Sequence, residues 1–156
     1  MWLSKARAGC SLWLSSPEKD SFEGWHDGYM RLDDPVKHRR LIELDKRARR
    51  VVVEDTLDMG EEHDVELFFH CSEHCNVDAV PGGFVISQQG ISIRLALPEL
   101  DSGKSEVYRG SLAPLLGWVS RAFDSRQPAP TIVWRARLGG RAVLRTQILI
   151  PPRTRQ

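Results

Sequence analysis

The chain has 156 residues, of which 41% are hydrophobic and 28% charged, the balance of one globular domain with its own core rather than of a disordered chain or of two domains. Lys and Arg number 22 against 21 Asp and Glu, which excludes a global basic field for nucleic acid, so an anionic ligand has to be met by a local cluster. No apolar run reaches the roughly 18 residues that a membrane span needs.

From the start, residues 1–19 mix Trp2, Leu12, Trp13 and Leu14 with Ser, Gly and Pro and have little periodicity. They read as an irregular N-terminal segment, a strand remnant or a loosely attached tail. Their positive charges lie inside the segment and the apolar run is shorter than a signal peptide requires, so no signal peptide is read here. Ser21 to Gly28 is extended and ends in the turn pair Asp27-Gly28.

Three strand-like runs follow, Val36 to Leu44, Arg50 to Leu57 and Asp64 to His70, rich in β-branched or aromatic residues. The links Asp45 to Ala48 and Asp58 to Glu62 are of hairpin length. Alternation sets His38, Arg40, Ile42 and Leu44 on one face of the first run and Lys37, Arg39, Leu41 and Glu43 on the other.

Beyond His74 the turns come faster. Asn76 to Val80, Phe84 to Gln88 and Ile91 to Leu97 are short strands, the last with Ile91, Ile93, Leu95 and Leu97 on one face. Glu106 to Gly110 is another. Thr131 to Leu138 and Ala142 to Ile150 predict a final hairpin around Gly139-Gly140, ended by Pro151 and Pro152. No stretch of eleven or more residues keeps a helical period. The fold class expected is all-β, a twisted antiparallel multi-strand sandwich. GxGxxG, GxxxxGK[ST], HExxH and GxSxG are all absent, so dinucleotide, P-loop, zincin and α/β-hydrolase chemistry have no support.

His26, Tyr29, His38, Arg39 and Arg40 form the candidate substrate-binding constellation. A neighbouring His and Tyr are what removal of a proton and donation to a leaving oxygen require, and paired arginines neutralise and orient a carboxylate. The plainer reading is that His26 and Tyr29 fix a turn while Arg39 or Arg40 pairs across strands with Glu54 or Asp55. Trp118 and Trp134 offer a sugar-stacking platform or, more ordinarily, core. The three cysteines, Cys10, Cys71 and Cys75, make no disulfide framework. His70, Cys71, His74 and Cys75 crowd potential zinc ligands into six residues, but no second pair exists to close a loop, so no metal is expected there.

His26-Asp27-Gly28-Tyr29-Met30-Arg31-Leu32, then Pro35-Val36-Lys37-His38-Arg39-Arg40, then Val53-Glu54-Asp55, resembles the HDGY…RL…P-V-x-HRR…ED series of the C-terminal domain of heparinase II/III-like polysaccharide lyases. Asp64 to His70 and Gly117-Trp118-Val119-Ser120 are similar too, and the resemblance covers about residues 20–150. It implies a β-sandwich that follows an N-terminal α/α toroid in the complete enzyme, cleavage of uronic-acid-containing polysaccharide by β-elimination, and, for many members, the cell envelope or periplasm. The family's catalytic Asn, His and Tyr belong largely to the toroid, and its structural zinc is held by an upstream sandwich segment with an HN-type motif; neither has positions here. No catalytic residue and no cofactor is therefore assigned to this chain.

Two functions follow from the resemblance: the C-terminal sandwich portion of such a lyase, inactive alone, or a freestanding carbohydrate-binding or interaction module. The partners implied are an acidic polysaccharide, the toroid and the upstream sandwich segment, with no nucleic acid and no membrane span. Strands missing from upstream are expected to leave a sheet edge and an apolar face of Ile91, Ile93 and Leu95 uncovered.

Overall fold

The computed structural model describes residues 5–152. In chain order the strands are β1 (Ala8–Ser15), β2 (Lys19–His26), β3 (Lys37–Asp45), β4 (Arg50–Asp58), β5 (His63–His70), β6 (Asn76–Val80), β7 (Gly83–Gln88), β8 (Ile91–Ala96), β9 (Lys104–Tyr108), the two-residue β10 (Ser111–Leu112), β11 (Leu115–Leu116), β12 (Trp118–Val119) and β13 (Gln127–Pro128), then β14 (Thr131–Leu138) and β15 (Arg141–Leu149). The described residues contain strands and turns and no helix, which is the all-β sandwich class that alternation predicts. Two compact units divide the chain, one of residues 1–63 and 138–156, the other of 64–137.

The first unit is an antiparallel meander of β1, β2, β3 and β4 with β15 beside β4. Its register runs in phase across the sheet: Gly24 faces Arg40, Arg40 faces Asp55 and Asp55 faces Leu144, while His26 faces His38, His38 faces Leu57 and Leu57 faces Ala142. Since side chains alternate, one face collects His26, His38, Arg40, Asp55, Leu57 and Leu144. Asp55, Leu57, Leu144 and Thr146 on that face are buried; truncation of Leu144 to alanine would cost about 2–5 kcal/mol.

Three expectations change here. The segment read as irregular contains a regular strand, β1, whose residues Ala8 to Ser15 pair with β2 through a bulge between Cys10 and Leu12. The links at Asp58 to Glu62 and at Gly139-Gly140 are not hairpins. Both edges of β4 are taken, by β3 and β15, so β5 pairs with β14 and β14 with β9 instead. The hairpin read at Asp45 to Ala48 stands, held by the Asp45 carboxylate, which accepts from the Ala48 amide at 2.7 Å.

The second unit contains the three-strand sheet β5-β14-β9, the meander β6-β7-β8 and two small hairpins. Its core is Ile132, Val133, Trp134, Leu95 and Phe84, each at most 4% exposed. In β8, Ile91 is 68% exposed and Leu95 only 1%. The expected uncovered face of Ile91, Ile93 and Leu95 is thus wrong at its inner end, because alternation says which face a residue takes and not how far along the strand the core reaches.

Candidate functional site

The site is built where β2 and β3 end side by side. His26 closes β2, and the loop 27–36 returns the chain to β3, where His38 sits directly opposite His26. The loop is pinned at both ends. Asp27 accepts from the Arg7 amide at 2.6 Å. Asp34 accepts from the amides of Gly60 and Glu61 at 3.0 and 2.8 Å and contacts His63 Nε2 at 2.7 Å; these bonds hold its carboxyl below the usual range, that of Glu61 foremost.

Hydrogen positions along the histidine pair follow from the two ends of the chain of contacts. The Gly28 amide can only donate, and it lies 3.2 Å from His26 Nδ1, so that nitrogen accepts. His26 Nε2 then carries the proton and donates to His38 Nδ1 at 2.9 Å. His38 Nε2 in turn donates to Asp55 Oδ1 at 2.6 Å. Asp55 is 2% exposed and also receives both arms of Arg40, Nε to Oδ1 at 2.6 Å and Nη2 to Oδ2 at 2.9 Å. Burial opposes its charge, but the bonds from His38 and Arg40 outweigh burial and hold the carboxyl below the usual value, so it is the ionised acceptor. For His26 burial comes first, followed by the neighbouring His38, and its pKa is lowered. The Tyr29 ring meets His26 edge-on at 5.0 Å between centroids and is 45% exposed.

Four of the five candidate residues, His26, Tyr29, His38 and Arg40, are brought together. Arg39 lies on the opposite face of β3, where it pairs with Glu23 at 3.8 Å and helps line a cleft of about 450 Å³ with Trp25, His26, Met30, Lys37 and His38. Every ring nitrogen of His26 and His38 is engaged within the protein, so the solvent-facing cations include Lys37, Arg39 and Arg40, the last two with side chains 47% and 45% exposed. Sequence reading places Asp55 only as a cross-strand partner. Its position as the hub of the site has no sequence signal beyond a carboxylate in register with Arg40, since burial of that carboxylate is a property of the whole sheet. Trp25 and Met30 escape notice because isolated apolar residues beside a turn carry no pattern.

The remaining candidates are structural in character. Trp134 is core at 2% exposure. Trp118 donates its indole N–H to the Ser111 carbonyl at 2.8 Å, and the Arg126 guanidinium covers its ring at 4.3 Å. In the segment 70–75, His70 contacts Thr131 at 3.2 Å and Cys75 contacts Gln88 at 3.5 Å, and burial with the nearby Cys75 pushes the Cys71 thiol up to about 11. Glu73 binds Arg121, which brings its carboxyl down to about 2. Among the described residues no three His, Cys, Asp or Glu side chains converge into a metal-holding group.

A family model described as Heparinase II/III-like, C-terminal, matches residues 2–154. No curated protein sequence matches the chain. Among solved structures, heparan sulfate lyase HepC from Pedobacter heparinus superposes with a TM-score of 0.73 at 10% identity, over 95% of this chain and 22% of that one. The heparinase III product of BT4657 gives 0.72 at 14% identity, over 93% and 21%, and a further heparinase III gives 0.72 at 14%, over 92% and 21%. The chain therefore spans about a fifth of the length of the solved proteins it resembles.

Proposed function

Because the matched family spans nearly all of its residues, the chain belongs to the heparinase II/III-like C-terminal family, and we propose that it serves as the C-terminal β-sandwich of a polysaccharide lyase acting by β-elimination on uronic-acid-containing polysaccharide, without catalysing that reaction alone. The observation that carries this reading is the saturation of the histidine pair. A general base needs a lone pair within reach of the proton it removes, and His26 and His38 spend theirs on Gly28 and on each other. In this reading the base is supplied by the toroid of the complete enzyme.

The role left to this chain is contact with an acidic polymer. Arg40, oriented by Asp55, and Arg39, beside Trp25 in the cleft on the other face of β3, each present a cationic group for uronate or sulfate, and Tyr29 stands at the surface beside His26. His38, bonded to the same carboxylate, stands behind Arg40 as a support. Arginines this few and this local suit an acidic polysaccharide and not a nucleic-acid duplex, whose binding draws on an extended basic surface. No zinc is assigned to this chain; in the proposed enzyme it belongs to the upstream sandwich segment.

Incubation of the isolated chain with heparan sulfate, alginate and hyaluronan should give no rise in unsaturated-uronate absorbance. Binding to at least one of them should be saturable, salt-sensitive and weakened by Arg39→Ala. A robust rise in absorbance that disappears in Tyr29→Phe would give this domain an active site of its own. Saturable binding by the chain, with no gain in lyase activity when the toroid of a homologous lyase is added, would favour a freestanding binding module.

A further inference from the structure

We propose that His26 is an acid-released latch on the loop 27–36, holding it through the hydrogen bond that Nδ1 accepts from the Gly28 amide and letting it go when that nitrogen takes up a proton. The inference stands on the hydrogen-bond chain alone and not on the polysaccharide reading.

A proton arriving at His26 Nδ1 turns an acceptor into a donor that faces the Gly28 N–H, and that bond is lost. The other two bonds survive. His26 Nε2 keeps donating to His38 Nδ1 at 2.9 Å, and His38 Nε2 to the Asp55 carboxylate. One proton enters, and the single bond sacrificed is the one between the His26 ring and Gly28, while Asp27 and Asp34 keep the two ends of the loop pinned.

The groups around His26 set when this occurs. On its own strand end, Asp27 favours the proton. From β3, His38 and Arg40 oppose it, and from β4, the Asp55 carboxylate stands behind His38 at 2.6 Å. Within the loop, Tyr29 packs edge-on against the ring, and Arg31 donates to the Gly28 carbonyl. From the N-terminal side, the Arg7 amide occupies one Asp27 oxygen. Burial lowers the His26 pKa from its ordinary value of 6.5, so the latch is closed at neutral pH and opens on mild acidification. What it frees is the segment that carries Tyr29 and Met30, including the amides of Met30, Leu32 and Val36 that now bond within the loop.

The test is amide hydrogen exchange of the full chain at about pH 7.5 and about pH 5, corrected for intrinsic rates, with imidazole nitrogen spectra recorded in parallel. Both rings should be neutral Nε2–H tautomers at the higher pH. On acidification Gly28, Met30 and Val36 should lose protection roughly tenfold, the size expected for one hydrogen bond, while the β3 and β4 amides keep theirs. His26→Gln, which can still accept from Gly28 but does not titrate, should hold the loop at both values. An Nδ1–H tautomer of His26 at neutral pH, loop protection that does not change with pH, the same loss in His26→Gln, or simultaneous loss across the whole sheet would each overturn the proposal.

Discussion

His38 Nε2 lies 2.6 Å from Asp55 Oδ1, and that contact joins the buried middle of the first unit's sheet to the half-exposed residues of the candidate site. Asp55 is 2% exposed and is shared between an imidazole and a two-armed guanidinium. Its environment is therefore balanced only while both partners are present.

Asp55→Asn is expected to cost roughly 2–4 kcal/mol, because the amide puts a donor against Arg40 or His38 and leaves buried polar atoms unmatched. Urea unfolding followed by tryptophan fluorescence at neutral pH measures it. His38→Gln, which preserves the Asp55–Arg40 pair, should cost less. Equal midpoints for Asp55→Asn and the parent chain would show that the carboxylate is not the hub.

Acidification should lower stability in two steps, both of the same sign. His26 has a folded pKa below its ordinary 6.5, so the unfolded chain binds the proton first and stability falls as pH drops from about 6.5 through the lower folded value. Asp55, depressed below 3.8, adds stability that is present above that value and is lost as pH falls through its folded pKa. Melting temperatures should decline between about pH 7 and 5 and again below about pH 4. In His26→Gln the first decline should shrink, and a parent chain whose melting temperature is flat from pH 7 to 5 would contradict the His26 shift.

Gly117→Ala should destabilise by about 2 kcal/mol or more. Gly117 has φ of +77°, and a Cβ there would sit 2.5 Å from the Tyr108 carbonyl oxygen. Its own carbonyl accepts from both Gly110 and Ala129, at 2.7 and 2.9 Å, so the small hairpins around Trp118 depend on it. Thermal unfolding of the variant measures the loss, and a melting temperature equal to the parent's would mean that the backbone there tolerates a side chain.

Chelation should leave the melting temperature of the isolated chain unchanged, since residues 70–75 spend their side chains on Thr131, Gln88 and Arg121 and present no converging ligand set. Stoichiometric zinc in the purified protein, removed by Cys71→Ser with Cys75→Ser, would be the contrary result.

Self-association should arise at β1, an edge strand on which Trp13 is 73% and Leu14 60% exposed. Trp13→Ser with Leu14→Lys should lower light scattering at high concentration without lowering the melting temperature by more than a few degrees. Unchanged scattering would place the sticky surface elsewhere.

The sequence by itself determined the fold class, the faces of β3 and the family. Period-two alternation is a local property of backbone geometry, so His38 and Arg40 fall on one side and Arg39 on the other whatever surrounds them. The ordered motifs from His26 to Asp55 likewise need no coordinates. Tertiary structure alone decided which strands pair and what is buried. Gly139-Gly140 suits a hairpin locally, yet β15 pairs with β4 and β14 with β9, because strand pairing depends on which edges are already occupied. The same holds for Asp55: a carboxylate within a strand looks exposed in sequence, and it becomes the anchor of the histidine pair because it is buried in register beside His38 and Arg40 of β3. Proton positions on His26 and His38 are fixed only once the Gly28 amide and the Asp55 carboxylate stand at opposite ends of the same line of contacts, at 3.2 and 2.6 Å, an alignment that residues distant in sequence reach only by folding.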